Sequence, residues 1–442
     1  MSDIISAIST ALGVGGVAII RVSGKGSINL ATKMFKPLKK IEKFEPNVMY
    51  AGEIDGGDFK DFGMCVAFYA PHSFTGEDTI EFHCHGGLAI TQGILRKTFS
   101  LGARPATNGE FTKRAFINGK LSLSSCEGLI DMINSESRAE VKAGYYLYRE
   151  KLCKKILALQ ESLTNSLAEI DASIDYPEEG LEEVATEKVF LAVDRTIAEL
   201  NSLVGLYKSG RKILTGIKAA LVGKPNTGKS SLLNALLAYD KAIVTSVAGT
   251  TRDIVEGQIE IKGAKFNLLD TAGIRDSLDE VEKIGIERTK RAVEESDLVI
   301  FVMDGSLPLT PEDKEILASV KDKPLIRVCN KSDIGVILEK DNYDILLSAK
   351  NGEIEKLKDL MFSIGVGTEL SSDADYLTEE RHFDAINRAL KSINNAKANQ
   401  GAPLDLIAYD IKECWDILGE ITGETASESI IDEIFKKFCV GK

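Results

Sequence analysis

Residues 223–230 read Gly223-Lys224-Pro225-Asn226-Thr227-Gly228-Lys229-Ser230, and this octapeptide decides the fold. It fits G-x-x-x-x-G-K-[ST], the phosphate-cradling loop. The apolar run Ile217 to Val222 before it predicts a buried strand, and Ser231 to Leu237 after it predicts a helix. In that context backbone N–H groups converge on phosphate oxygens at a helix N-terminus, where the dipole favours negative charge. Asn226, Thr227, Gly228, Lys229, Ser230 and Ser231 are therefore expected to contact the nucleotide. Lys229 reaches the outer phosphates, and the Ser230 hydroxyl sits on a magnesium ion.

Three further motifs follow in the order a guanine-nucleotide switch requires. The loop Thr245-Ser246-Val247-Ala248-Gly249-Thr250-Thr251 precedes a predicted strand, Ile254 to Ile261. Thr251 is expected to place a second hydroxyl on magnesium and to sense the γ-phosphate. Asp270-Thr271-Ala272-Gly273 closes the predicted strand Lys265 to Leu269. Asp270 can hold magnesium through water, and the Gly273 N–H can contact the γ-phosphate. Asn330-Lys331-Ser332-Asp333 follows Leu325 to Cys329 and reads the base. A carboxylate at Asp333 accepts two hydrogen bonds from guanine, and adenine offers no such pair. Ser348-Ala349-Lys350, after Asp344 to Leu347, resembles the last guanine-contacting loop. Four such loops in order, each at a strand end, specify GTP.

One position departs from the small signalling GTPases. Where they carry a water-orienting glutamine after Asp-x-x-Gly, this chain has Ile274. Another group must then position water and offset developing charge. Asn226, with backbone carbonyls around Thr245, Val247 and Thr250, can shell a potassium ion that takes the place of an arginine finger. The acids of Asp279-Glu280-Val281-Glu282 are available to position water; they also suit the dipole of a helix starting near Lys283.

The chain has 442 residues, enough for two or three domains. Its 44% apolar and 27% charged residues are ordinary for a globular protein, and no apolar run is long enough to span a bilayer. The start lacks the basic segment of a signal peptide. Seven scattered cysteines without a Cys-x-x-Cys pair suit a reducing cytoplasm. A net charge of −13 argues against broad attraction to nucleic acid. The basic groups Lys113, Arg114 and Lys120, and Arg149, Lys151, Lys154 and Lys155, read as solvated helix faces.

Residues 1–120 mix strands and helices in an α/β or α+β pattern. Ser124 with Glu127 is a capping-box signature. Helical periodicity then runs to about Tyr207, broken by the loop Asp175 to Gly180. From Ile213 to Ile364 strands and helices alternate, which predicts a parallel sheet. After a polar linker the pattern is helical again. The expected architecture is a helical bundle built from both stretches with the α/β domain inserted. The expected boundaries are 1–120, 121–210, 211–368 and 369–442.

Motifs outside the nucleotide domain carry a family resemblance. They are Gly15-Gly16-Val17-Ala18-Ile19-Ile20-Arg21-Val22-Ser23-Gly24, Ser73-Phe74-Thr75-Gly76-Glu77-Asp78, His85-Gly86-Gly87, Gly109-Glu110-Phe111-Thr112-Lys113-Arg114, and the ending Cys439-Val440-Gly441-Lys442. Along its whole length the chain resembles the bacterial and organellar tRNA-modifying GTPase family MnmE, also called TrmE. The resemblance implies a multidomain fold: an N-terminal α/β (α+β) folate-binding domain that dimerises, a discontinuous all-α helical domain and an inserted Ras-like α/β P-loop GTPase domain. It implies an FAD-dependent partner, MnmG (GidA), in a heterotetramer or larger assembly. Together the two modify carbon 5 of the wobble uridine of certain tRNAs. The one-carbon unit comes from 5,10-methylene- or 5-formyl-tetrahydrofolate, and glycine or ammonium supplies the amine. By motif matching, Arg21, Glu81, Lys120 and Lys442 fall on folate-contacting positions, Glu282 on the water-orienting glutamate and Asn226 on the potassium ligand.

The residues agree with a folate site. Thr79 to His85 reads as a strand, so Glu81, His83 and His85 share one face. A carboxylate suits a pterin's paired N–H donors, and Arg21, Lys120 or Lys442 suits an anionic glutamyl tail. Cys439 is a candidate thiol beside the one-carbon chemistry. Two departures from the family pattern, Ala11-Leu12-Gly13 and Asn108, fall in loops. A ribosome-assembly GTPase is the competing reading, but the region after Ile364 lacks the basic Gly-x-x-Gly RNA-binding domain it would need. A folate-dependent one-carbon transferase with a regulatory nucleotide domain is a third.

Overall fold

The computed structural model describes residues 3–175, 182–239, 257–270, 292–320, 323–366 and 377–442. The chain forms two compact units. One comprises Met1–Ile130, Gly144–Leu200 and Asp384–Lys442, and the other Asp131–Ala143 and Asn201–Phe383.

The first unit opens with strands β1 (Ile5–Ile8), β2 (Gly15–Ser23), β3 (Phe35–Pro37), β4 (Met49–Asp55), β5 (Lys60–Phe68), β6 (Thr79–Gly86) and β7 (Arg104–Pro105). They form one sheet in the order β3-β4-β5-β6-β2-β1-β7, antiparallel except for the parallel β1–β7 pair. Period-two alternation sorts its residues. Ile80, Phe82 and Cys84 enter a core with Ile20, Val22 and Ile94, while Glu81, His83 and His85 take the other face, as expected from the sequence. Cys84 thus points away from its two histidine neighbours. Among the described residues no group of His, Cys, Asp and Glu could hold a metal ion.

A knot of charge ties the start of the unit to the helix Glu110–Ile117. Arg104 binds Glu110 through two bonds of 2.8 and 2.5 Å and also reaches Asp3. Arg114 binds Asp3 at 2.7 Å, Glu77 at 2.9 Å and Glu110 at 3.0 Å. Lys113 pairs with Asp432 at 2.6 Å. Lys113 and Arg114 of the expected solvated basic face are thus paired in a network, while Lys120 is exposed. Burial alone would raise the Glu110 pKa from 4.5, but Arg104, the Thr107 N–H and Arg114 outweigh it and hold it at about 2. A depressed carboxyl stabilises the fold above its unfolded pKa, and the contribution is lost as pH falls from about 4.5 toward 2. Glu110→Gln is expected to lower the melting temperature by about 2–4 °C at neutral pH. The difference from the unaltered protein should shrink on acidification, as thermal circular dichroism across pH would show.

The helical part of this unit joins both ends of the chain. Lys151–Asp175 packs along Leu404–Thr422, fastened where Gln160 donates to Trp415 O at 3.1 Å and Trp415 Nε1 donates to Thr164 at 3.1 Å. Leu123, Cys126 and Ile130 share a cluster with Ile434, Phe435 and Phe438. Fully buried Leu123 belongs to that cluster, so its helix begins at Leu123, earlier than the sequence suggests. The Ser122 hydroxyl, and not Ser124, accepts the Ser125 N–H at 3.2 Å, and Ser124 and Glu127 lie buried inside the helix.

The second unit holds strands β8 (Ile217–Val222), β9 (Gly257–Ile261), β10 (Ala264–Asp270), β11 (Leu298–Asp304), β12 (Leu325–Asn330) and β13 (Ile345–Leu346), in the order β13-β12-β11-β8-β10-β9. Alternate residues of β8 and β11 enter two separate cores, one on each face, so both strands read as continuous apolar runs. Five strands are parallel. The edge strand β9 is antiparallel to β10, which corrects the all-parallel expectation. Lys262 and Gly263 both have positive φ, 51° and 90°, as a two-residue hairpin turn requires.

Candidate functional site

The phosphate loop runs from the end of β8 to the helix Lys229–Tyr239. Lys229 is buried, and its ammonium donates to Gly223 O at 2.6 Å and Lys224 O at 2.8 Å. The Thr227 hydroxyl also donates to Lys224 O, at 2.9 Å. Asn226 and Ser230 are exposed, at the loop apex and in the first turn of the helix. Asn226 has φ 63°, the left-handed conformation that a side chain adopts at a cost. Gly228 has φ 95°, and a Cβ there would overlap the Asn330 carboxamide nitrogen. The loop is therefore a cradle of bare backbone at a helix N-terminus with a lysine beneath it, which fits a nucleotide phosphate chain.

Asn330 ends β12 and joins two of the predicted loops. Its Nδ2 donates to Thr227 O at 2.9 Å, and its Oδ1 accepts the Ala349 N–H at 3.0 Å. Lys331 takes φ 65° and pairs with Asp304 at 2.6 Å. Burial would raise the Asp304 carboxyl, but Lys331 and Ser306 bring it below the usual range. The Ser348 hydroxyl donates to Asp333 at 2.7 Å, which holds that carboxyl low and charged on an open surface. Lys350 is exposed nearby in the chain. The loops after β8, β12 and β13 thus meet, with one anionic acceptor facing outward.

Several candidates fall elsewhere. Thr245, Ser246, Val247, Ala248, Gly249, Thr250, Thr251, Thr271, Ala272, Gly273, Ile274, Asp279, Glu280 and Glu282 lie outside the described residues. The backbone of Asp270 ends β10, beside Leu221 of β8.

On the first unit's sheet Arg21 and Glu81 are register partners across β2 and β6. The Arg21 Nε donates to Glu81 Oε1 at 2.8 Å. The guanidinium also lies over the rings of Phe74 and Phe111, at 5.5 and 5.7 Å. His83 Nε2 is 3.3 Å from Glu81 Oε2. Burial opposes ionisation of Glu81, but His83 and Arg21 overcome it and lower its pKa. The Lys120 ammonium donates to Pro71 O at 3.0 Å. The C-terminal segment docks on the same sheet. The Ser9 hydroxyl donates to Gly441 O at 3.1 Å, and Val440 bridges Asn108. Gly441 has φ 101°, and a Cβ there would overlap Ile8 O. The bridge uses the Gly109 N–H on Cys439 O, so position 108 needs no N–H of its own in it. Cys439 is the exposed cysteine among seven free ones. Arg21 and Glu81 are in direct contact; the Lys120 ammonium rests on Pro71 O, and Lys442 follows Gly441, whose carbonyl accepts from Ser9. His83, Phe74 and Phe111 were not singled out as site residues from the sequence. The strand alternation that put His83 beside Glu81 was the available signal.

Comparisons with known proteins span the chain. The family model described as "GTP-binding protein TrmE N-terminus" matches residues 4–120, and that described as "MnmE helical domain" matches residues 123–439. The "tRNA modification GTPase MnmE" of Natranaerobius thermophilus is 39% identical across 100% of this chain and 99% of its own length. That of Clostridioides difficile is 39% identical across 100% of both. Among solved structures, a variant of Aquifex aeolicus Era bound to GDP.AlF4- aligns at 29% identity over 40% of this chain and 66% of that one, with a TM-score of 0.27. With matches running end to end and the phosphate loop assembled as described, the chain belongs to the MnmE family of tRNA modification GTPases.

Proposed function

We propose that the chain hydrolyses GTP to drive a conformational cycle needed for modification of a tRNA wobble uridine. With an FAD-dependent MnmG-type partner, it adds a carboxymethylaminomethyl or aminomethyl group at carbon 5, using a one-carbon unit from tetrahydrofolate. The observation that carries the GTP reading is the Asn330 carboxamide, which links the phosphate loop to the Ser348-Ala349-Lys350 loop while Ser348 orients Asp333. Magnesium, held by Ser230 and Thr251, would neutralise phosphate charge. This chain's own residues bind and orient: Lys229 beneath the phosphates, Asp333 on the base edge. Glu282 is the proposed water-positioner, and Asn226 with Thr245, Val247 and Thr250 the proposed potassium shell. In the folate reading Arg21, Glu81, Lys120 and Lys442 bind the cofactor and Cys439 stands beside the one-carbon chemistry. The ionised Glu81, held by an Arg21 that lies over Phe74 and Phe111, suits a flat heterocycle with N–H donors. A homodimer completes the proposed assembly, in the cytoplasm. Among the described residues no helix is long and apolar enough to cross a membrane.

Two measurements test the proposal. GTP turnover in potassium is expected to exceed that in sodium by at least about tenfold, the scale of one charge-offsetting group; equal rates would remove the cation role. Deletion of the gene should abolish the carbon-5 modification in nucleoside mass spectrometry of total tRNA, and an unchanged profile would sink the tRNA assignment.

A further inference from the structure

Among the described residues, the phosphate loop borders a cavity. Lys224, Pro225, Asn226 and Thr227 border this cavity of about 280 Å³, which Leu309, Asp313 and Leu338 also line. A strained backbone beside a cavity persists where a neighbouring contact fixes it. The Lys224 side chain does so. Its ammonium donates to the Thr310 hydroxyl at 2.8 Å and pairs with Asp313 Oδ2 at 2.7 Å. Thr310 caps the helix Pro311–Ser319 in a reciprocal box, its N–H and hydroxyl both donating to Asp313 Oδ2 at 2.8 Å. The Asp313 side chain is only 4% exposed.

Lys224 therefore works at both ends. Its side chain is anchored on the capped helix, and its carbonyl oxygen receives Lys229 and Thr227. We infer that Asp313, acting through Lys224, is a positioning residue for the phosphate loop: it sets the carbonyl that aims Lys229 and holds Asn226 in its left-handed conformation. The charge also makes the anchor specific. A buried carboxylate that already receives two neutral donors gains, among the described residues, a third, charged one from Lys224, and truncating either partner leaves the other half-satisfied.

The inference rests on the reading of this loop as the GTP site, and the test separates the two. Equilibrium binding of a fluorescent GDP analogue and steady-state GTP turnover are measured on the full chain for Asp313→Asn, Lys224→Met, the double variant and Lys224→Arg. Absence of nucleotide binding by the unaltered protein would refute the GTP reading itself. Given binding, each single removal is expected to weaken it about tenfold. The double variant should be no weaker than either single one, and Lys224→Arg should recover most of the affinity. A cap that only supports the helix would lower the melting temperature and leave the affinity of the folded protein unchanged. Unchanged affinity in Asp313→Asn, or additive losses in the double variant, overturns the inference. If Asp313→Asn does not fold, Lys224→Met decides alone, because its side chain is at the cavity edge and its removal leaves the Thr310–Asp313 cap in place.

Discussion

Asp333→Asn is expected to weaken GTP binding by about 10²–10³-fold while leaving the fold intact. Guanine presents a ring N–H and an exocyclic amine, and an ionised carboxylate accepts both. Asparagine keeps one acceptor and turns an N–H toward one of those donors. Losing a charged hydrogen bond and gaining an unmatched donor accounts for a loss of that size. The side chain is exposed and held by Ser348, so the substitution opens no cavity. Xanthosine triphosphate carries a carbonyl where guanine has its amine, and it should bind the variant better than GTP does. Competition against a fluorescent nucleotide reads both effects. Unaltered GTP affinity would show that Asp333 does not read the base.

Gly228→Ala is expected to be as severe for a different reason. The residue sits at φ 95°, and its Cβ would overlap the Asn330 carboxamide nitrogen. That carboxamide cannot move away without breaking its bonds to Thr227 O or Ala349 N. The variant must strain its backbone and uncouple the phosphate loop from the base-side loop. We expect at least a hundredfold loss of nucleotide affinity. Backbone strain of about 1–3 kcal/mol should also lower the melting temperature of this unit by several degrees. Wild-type affinity in Gly228→Ala would mean that Asn330 is not the link described above.

Much of this was legible in the sequence because it is local. A glycine loop between an apolar run and a helix, and short polar motifs at strand ends, each lie within a few neighbouring residues. Alternation along Thr79 to His85 placed Glu81 and His83 on one face correctly. The antiparallel turn of β9 was missed because Lys262-Gly263 is a weak signal beside the surrounding βα rhythm. The helix start at Leu123 was misplaced because burial against Phe435, far along the chain, outweighed a local capping pattern. The Lys224–Asp313 pair was illegible for the same reason: Lys224 fills an unspecified position of the phosphate-loop pattern, Asp313 lies in none of the motifs, and the two meet only through the fold. Thr310 and Asp313 form their cap within one turn, but nothing in that spacing says which cation reaches it.

The cluster that unites Leu123, Cys126 and Ile130 with Ile434 and Phe435 has a consequence for synthesis. At about 5–20 residues per second, the roughly 300 residues between the two halves take on the order of 15–60 s to emerge from a ribosome. Throughout that interval the nascent chain carries one half of an apolar seam without its complement. The intervening nucleotide unit, largely contiguous, can complete its own sheet in the meantime. Slow decoding between these halves would therefore lengthen the exposure of Leu123 and its neighbours, and aggregation of incomplete chains should track the translation rate of a region remote from the seam itself.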